Sequence, residues 1–194
     1  IIDDCNITGI ISAIDVDESA GVIVRNSIIQ GVGFAGAAIR IADSEGSQVS
    51  DNFIKLLVTD SSSNGCCRDG IHIKSSDNSI VTDNTVENTT DFGIFLDRSE
   101  NVIIENNQLL NTSIGFDYWD DAEYVNTHTF TGNTVNGLPI LYITNQTGGD
   151  LFDLSSSGQI ILAACTNLSI SNLSLNAVGT PLILSSSSII ISNN

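Results

Sequence analysis

A position held by glycine or alanine recurs along this chain at nearly constant spacing, and so regular a period restricts the fold more than any property of its composition. The glycines Gly70, Gly93, Gly115, Gly137, Gly158 and Gly179 are separated by 23, 22, 22, 21 and 21 residues, and Ala38 is an earlier, looser member. Fourteen residues beyond Ala38, Gly70, Gly93, Gly158 and Gly179 stand Asn52, Asn84, Asn107, Asn172 and Asn193. The same count from Gly115 and Gly137 lands on Thr129 and Leu151. Self-similarity at a fixed period of about 22 residues marks a solenoid, whose units bury their apolar faces only by stacking on one another.

The unit reads most clearly from Gly70 to Gly115. Each copy carries three short apolar stretches: Ile71 to Ile73, Ile80 with Val81, and Val86; then Ile94 to Leu96, Val102 to Ile104, and Leu109 with Leu110. Ser, Asp, Asn and Thr separate them, residues that turn a chain by bonding their own backbone. Three strands and three turns leave no room for a helix of ordinary length. The expected fold class is therefore all-β: a parallel β-solenoid of about eight coils of roughly 22 residues, with each strand pairing its equivalent in the next coil. One domain spans 1–194, with loop insertions near 59–69 and 117–130. Within Gly-Ile-His-Ile-Lys the isoleucines face inward, which turns His72 and Lys74 outward, with Phe95 and Asp97 beside them on the next coil. Asn52, Asn84, Asn107, Asn172 and Asn193 are expected to form a structural ladder of side-chain amides at one turn.

Charge and composition narrow the partners. Six basic residues stand against 23 acidic ones, for a net charge of −17. That argues against nucleic acid and anionic membranes, which require basic patches. It suits an extracellular surface; no cofactor is expected, and calcium is the cation such acidity could attract. No run of eighteen apolar residues occurs, so no membrane span is expected. The chain has no Met and begins Ile-Ile-Asp-Asp, consistent with removal of a secretory leader or with a fragment boundary. Sequons stand at Asn6, Asn88, Asn111, Asn145, Asn167 and Asn172, candidate glycosylation sites in a chain where turn chemistry alone accounts for most Asn-x-Ser/Thr matches. Cys5, Cys66, Cys67 and Cys165 lack a zinc-binding spacing and are the candidates for disulfides within or between chains. Adjacent Cys66 and Cys67 are poorly placed to bridge each other.

Two groups of residues invite a chemical reading. Asp69, His72, Asp91 and Asp97 could meet on stacked coils, as paired carboxylates must for acid–base work on a sugar. The register instead sets Arg68 beside Asp91 and Lys74 beside Asp97, opposite charges on neighbouring coils, so solvated ladder pairs are expected. The segment 116–124 departs most from the repeat. Its Asp117, Trp119, Asp120, Asp121 and Glu123 make a candidate ligand loop for sugar, alone or with a metal. No catalytic residue is assigned, and an enzyme is not expected.

The Gly-Ile-x-Leu, Asn-x-x-Ile and Asn-Asn-x-Leu units resemble the pectin-lyase-like right-handed parallel β-helix superfamily, most closely the NosD-like repeat proteins of archaeal cell surfaces. The stretches 132–145 and 158–175 are similar to a recurring block of those surface proteins. The resemblance covers roughly residues 20 to 194 and implies a right-handed coil; it carries no activity with it. Neither end of the sequence reads as capped, and uncapped coils invite pairing with further copies. The expected function is structural: an extracellular or cell-envelope protein that stacks head to tail into a sheath, surface layer or filament, with disulfide cross-links. The alternative is a β-helix protein that binds or degrades carbohydrate, with glycans as partners.

Overall fold

A computed structural model describes residues 1–8, 13–32, 36–57, 68–117, 122–152, 154, 156–171 and 182–192. The chain is an all-β parallel solenoid of about seven turns of roughly 23 residues, one fewer and slightly longer than the repeat count suggests. Three sheets run along its first part. The first begins with Ile2–Asp3 and ends with Thr129–Thr131; the second runs from Asn6–Thr8 to Thr134–Val135; the third from Ile14–Asp17 to Ile114–Phe116. Every strand pair in these stretches is parallel and joins one coil to the next.

The core is built from columns, because parallel in-register stacking places like beside like. Val24, Val49, Val81 and Ile104 form one column; Ile29, Ile54, Val86, Leu109 and Val135 a second; Ile39, Ile71, Ile94 and Ile114 a third. All are buried. β-Branched side chains dominate because they fit a pleated surface covered by the next coil.

Corners explain the abundance of Asn and Asp. A residue in the left-handed region precedes each corner residue of the column: Asp4 before Cys5, Asn26 before Ser27, Asp51 before Asn52, Asp83 before Asn84, Asn106 before Asn107. Short polar side chains tolerate that conformation best. The following residue then turns inward and bonds up the stack. Asn52, Asn84 and Asn107 each donate from backbone N–H and from Nδ2 to the Oδ1 of the next asparagine, at 2.9–3.0 Å. Each Nδ2 also reaches a carbonyl of the preceding coil, at Val24, Val49 and Val81. The fourth rung is Asn133, which bonds Ile104 O at 2.7 Å. Asn172 and Asn193 lie outside the described residues. At the opposite end Ser27 and Cys5 continue the same column. A second column, Ser44, Ser76 and Ser99, links the third sheet to the first, and the Thr89 and Thr112 hydroxyls meet at the remaining corner.

The repeat changes character at Asn136-Gly137. Both have positive φ, 50° and 79°, and they reverse the chain so that Thr134–Val135 pairs antiparallel with Leu138–Thr144. That is the type I′ geometry that Asn-Gly favours between strands. Gly137 is therefore a hairpin residue rather than an anchor of the coil. Gly115 also differs from its expected role: it sits inside Ile114–Phe116 opposite Phe95, and Ser113 holds the position equivalent to Gly93. Beyond the hairpin, two strands per turn form a second pile. Leu138–Thr144, Gln159–Ala163 and Leu182–Leu184 pair in parallel, as do Thr147–Phe152, Thr166–Ser171 and Ile190–Ser192.

The far end of the first stack is consequently covered by the second pile. Gln159 accepts a hydrogen bond from Ile114 N–H at 3.0 Å and donates to Ile114 O at 2.7 Å, so its side-chain amide stands in for a further strand. Ile161 and Ala163 join the first core, while Ile160 and Leu162 belong to a second core with Leu168 and Ile170. The strand between is buried on both faces. Among the described residues no helix is long and apolar enough to cross a membrane.

Candidate functional site

The outward face of the third sheet concentrates the chain's unusual chemistry. Its register sets Asp15, Arg40, His72, Phe95 and Gly115 in one column, and Lys74 opposite Asp97 in another. Of the six basic residues in the chain, Arg40, Arg68, Lys74 and Arg98 belong to this region. Arg40 pairs with Asp15 at 2.7 Å. Arg98 donates to Asp97 at 2.9 Å, with Lys74 3.7 Å from the same carboxylate. Arg68 donates its backbone N–H to Asp91 at 2.8 Å.

Lys74 and Asp97 make the cross-coil pair that alternation suggests, and Arg40 with Asp15 is solvated, but the centre of this face is more buried than alternation implies. Asp69 is 1% exposed, Asp97 6% and His72 8%, although His72 and Asp97 stand on outward positions of the strand. Aromatic cover contributes: the Phe95 ring meets His72 edge to face at 5.0 Å, and Phe92 stacks on Phe95 at 5.3 Å. Gly115 leaves the space that the Phe92 ring fills, since a Cβ there would come within 2.5 Å of it. Burial and proximity to Asp91 push the Asp69 carboxyl up to about 7, against the hydrogen bond that Phe92 N–H donates to it at 3.0 Å. Burial draws His72 down to about 4, against the pull of Asp97. Burial also works to raise Asp97, but Arg98 and Lys74 outweigh it and hold that carboxylate below its ordinary range. His72 Nδ1 is 3.9 Å from Asp69 Oδ2, and Nε2 is 3.7 Å from Asp97 Oδ2. Both separations exceed hydrogen-bond length.

The other candidates distribute as follows. Cys5 and Cys165 are both free thiols, and each occupies a corner column: Cys5 N–H donates to Ser27 Oγ at 3.2 Å, Cys165 N–H to Ser186 Oγ at 2.9 Å. Cys66 and Cys67 lie outside the described residues. So do Trp119, Asp120 and Asp121 of the acidic loop. Asp117 is half-buried and donates its N–H to Leu96 O at 3.0 Å, while Glu123 falls in the short helix Ala122–Val125. Among the sequons, Asn6, Asn111, Asn145 and Asn167 are exposed and Asn88 is half-buried; Asn172 is outside the described set. Asn88, Asn111, Asn145 and Asn167 all occupy left-handed corners. Among the described residues no group of three or more His, Cys, Asp or Glu could hold a metal ion.

Parallel coils, corner ladders and three sheets around one core are the pattern of a known family, and the right handed beta helix region matches residues 1–156 of the sequence. The chain belongs to the right-handed β-helix family. Comparison with curated proteins and with solved structures gave no match. The β-helix is compatible with structural and with carbohydrate-related roles. The second pile begins within the matched region and extends past its end.

The second histidine of this β-helix shows how a ladder position constrains pH. His128 takes the place held by Ser47 and Ser79 in earlier coils, and its Nδ1 accepts from Val102 N–H at 3.2 Å. Burial draws it down to about 4 from 6.5. The unfolded chain therefore binds this proton first as pH falls. Stability from His128 is complete above about pH 6.5, declines as pH drops toward 4, and then levels off, for a total of up to about 3 kcal/mol. Urea unfolding at steps across this window, compared with His128→Asn, measures it: the variant, which accepts the same hydrogen bond without titrating, is expected to show a shallower decline.

Proposed function

We propose that the protein is a structural component of an extracellular cell surface, associating with further copies of itself along the solenoid axis to build a sheath, layer or filament. The observation that carries this reading is the strand edge of the second pile. Among the described residues, Leu182–Leu184 and Ile190–Ser192 are the outermost strands of their sheets, and Ile183, Ile190 and Ile191 are 43%, 63% and 41% exposed. Ile14–Asp17, Ile2–Asp3 and Asn6–Thr8 are the outermost strands at the other extreme. Parallel edges that meet no further strand among the described residues, flanked by exposed isoleucine, are templates for one. A contact between two different edges is heterologous and propagates rather than closing. Cys66 and Cys67 are candidates for covalent cross-links between copies, and the acidic surface keeps unassembled chains soluble.

Sedimentation equilibrium across a wide concentration range, with and without reductant, tests this. Oligomers that grow with concentration are expected, and the double substitution Ile183→Lys with Ile190→Lys should abolish the growth while leaving the circular dichroism spectrum intact. A chain that stays monomeric at high concentration under both redox conditions removes the proposal.

A further inference from the structure

We propose that the outward face of the third sheet docks on a second copy of this chain, receiving the acidic ridge between that copy's first and second sheets. The proposal rests on the self-association reading above and adds to it a contact across the solenoid axis.

The starting observation is where the few cations stand. In a chain of net charge −17 with six basic residues, Arg40, Arg68, Lys74 and Arg98 gather on or beside the third sheet. Arg25 and Lys55 stand elsewhere, paired with Asp3 and Glu87. The carboxylates that the four cations meet are Asp15, Asp91 and Asp97, while burial pushes the Asp69 carboxyl up to about 7. This face is therefore near neutral on a strongly acidic molecule. Its cations stay within reach of a partner, with side chains 28% exposed at Arg40, 33% at Lys74 and 53% at Arg98. Half-exposed Phe92 and Phe95, stacked at 5.3 Å, add apolar surface at its centre.

The corner between the first and second sheets has the opposite character. Asp4, Asp51 and Asp83 occupy it in the left-handed conformation and are exposed, with Asp3 and Glu105 beside them on the strands. The ridge stays negative although Arg25 bonds Asp3. Three sheets enclose one core, so this corner lies across the molecule from the third sheet. The two rows also agree in height. Arg40 shares a coil with Asp51, Lys74 with Asp83, and Arg98 with Glu105. Both rows climb at the strand spacing of about 4.8 Å. A second copy displaced sideways, with no shift along the axis, sets three carboxylates against three cations. Ridge against ridge would instead bring like charges together. Face against ridge is heterologous, so it repeats from copy to copy and turns a column of stacked coils into a layer.

Sedimentation equilibrium in the Ile183→Lys, Ile190→Lys background isolates this contact, because axial growth is expected to be absent there. Association is expected in about 50 mM NaCl and should weaken about tenfold or more in about 500 mM. Asp51→Asn with Asp83→Asn should weaken it by a similar factor, asparagine being at ease in a left-handed corner. The sign of that change is decisive. Removing two negative charges from so acidic a chain relieves repulsion and strengthens any unspecific contact. Glu45→Gln with Asp150→Asn, exposed positions off the ridge, is the control and should not weaken association. Lys74→Gln with Arg98→Gln should weaken it; if circular dichroism shows that variant unfolded, Arg40→Gln carries the comparison. The proposal is overturned if the ridge variant associates as tightly as its parent or more so, if salt changes nothing, or if removing the cations leaves binding intact. A background chain that stays monomeric at low salt overturns it too, while concentration-dependent growth of the unsubstituted chain would leave the axial reading standing.

Discussion

Asn84→Ala is expected to destabilise the β-helix by about 4 kcal/mol, because three coils lose partners at once. Asn84 Oδ1 accepts from Asn52 N–H and Asn52 Nδ2; its own Nδ2 serves Val49 O, Thr82 O and Asn107 Oδ1. Removing the side chain orphans a backbone N–H at Asn52 and a carbonyl at Val49 in a stack with no adjacent solvent. Each buried, unmade bond costs on the order of 1–3 kcal/mol. Asn88→Ala is the comparison. Asn88 is half-buried and, among the described residues, its side chain accepts from the exposed Asn111 Nδ2, so a loss below about 1 kcal/mol is expected. Urea midpoints of the two variants decide it, and near-equal losses would show that the asparagine column contributes little.

Gly158→Ala should unfasten the second pile from the first. A Cβ at Gly158 would lie 2.7 Å from both Val135 O and Leu138 O, and 2.9 Å from Val135 Cβ. Two of these are backbone atoms of the hairpin, and they cannot rotate away as the end of a side chain could. The seam must open, at a cost of roughly 1–3 kcal/mol or more. Stacked units exchange stability mainly with their neighbours, so the loss should be local. Hydrogen exchange is expected to accelerate strongly for amides of Gln159–Ala163 and to stay unchanged for Ile71–Lys74. Uniform acceleration along the whole chain would mean that the two piles unfold as one unit.

The solenoid was legible because its cause is periodic. Turn residues and β-branched stretches repeat at the length of one coil, and the asparagines at 52, 84 and 107 share one phase with them. The next rung, Asn133, escaped because its coil is longer: it stands twenty residues beyond Ser113, the position equivalent to Gly93, and eighteen beyond Gly115. That glycine is spaced like an anchor, yet it serves to make room for the Phe92 ring. Ser27 and Cys5 escaped for a different reason: the corner needs a small side chain that accepts from the preceding coil's backbone, and Ser27 Oγ does so for Cys5 N–H as asparagine does further along, while Cys5 stands at the first corner and joins through its own N–H. The reversal at Asn136-Gly137 had a local signature, Asn-Gly between strand residues, which the longer period masked. Burial of His72, Asp69 and Asp97 was beyond reach. Alternation tells which side of a strand a residue faces, and says nothing of what comes to rest on that side.

The separation between successive members of the Cys5, Ser27, Asn52, Asn84, Asn107 and Asn133 column is 22, 25, 32, 23 and 26 residues, yet the hydrogen bonds joining them stay unbroken. Contour length between rungs is thus decoupled from axial rise. A scaffold with that property accepts foreign peptide at chosen heights: sequence grafted between corners would bulge sideways, while everything above and below keeps its position.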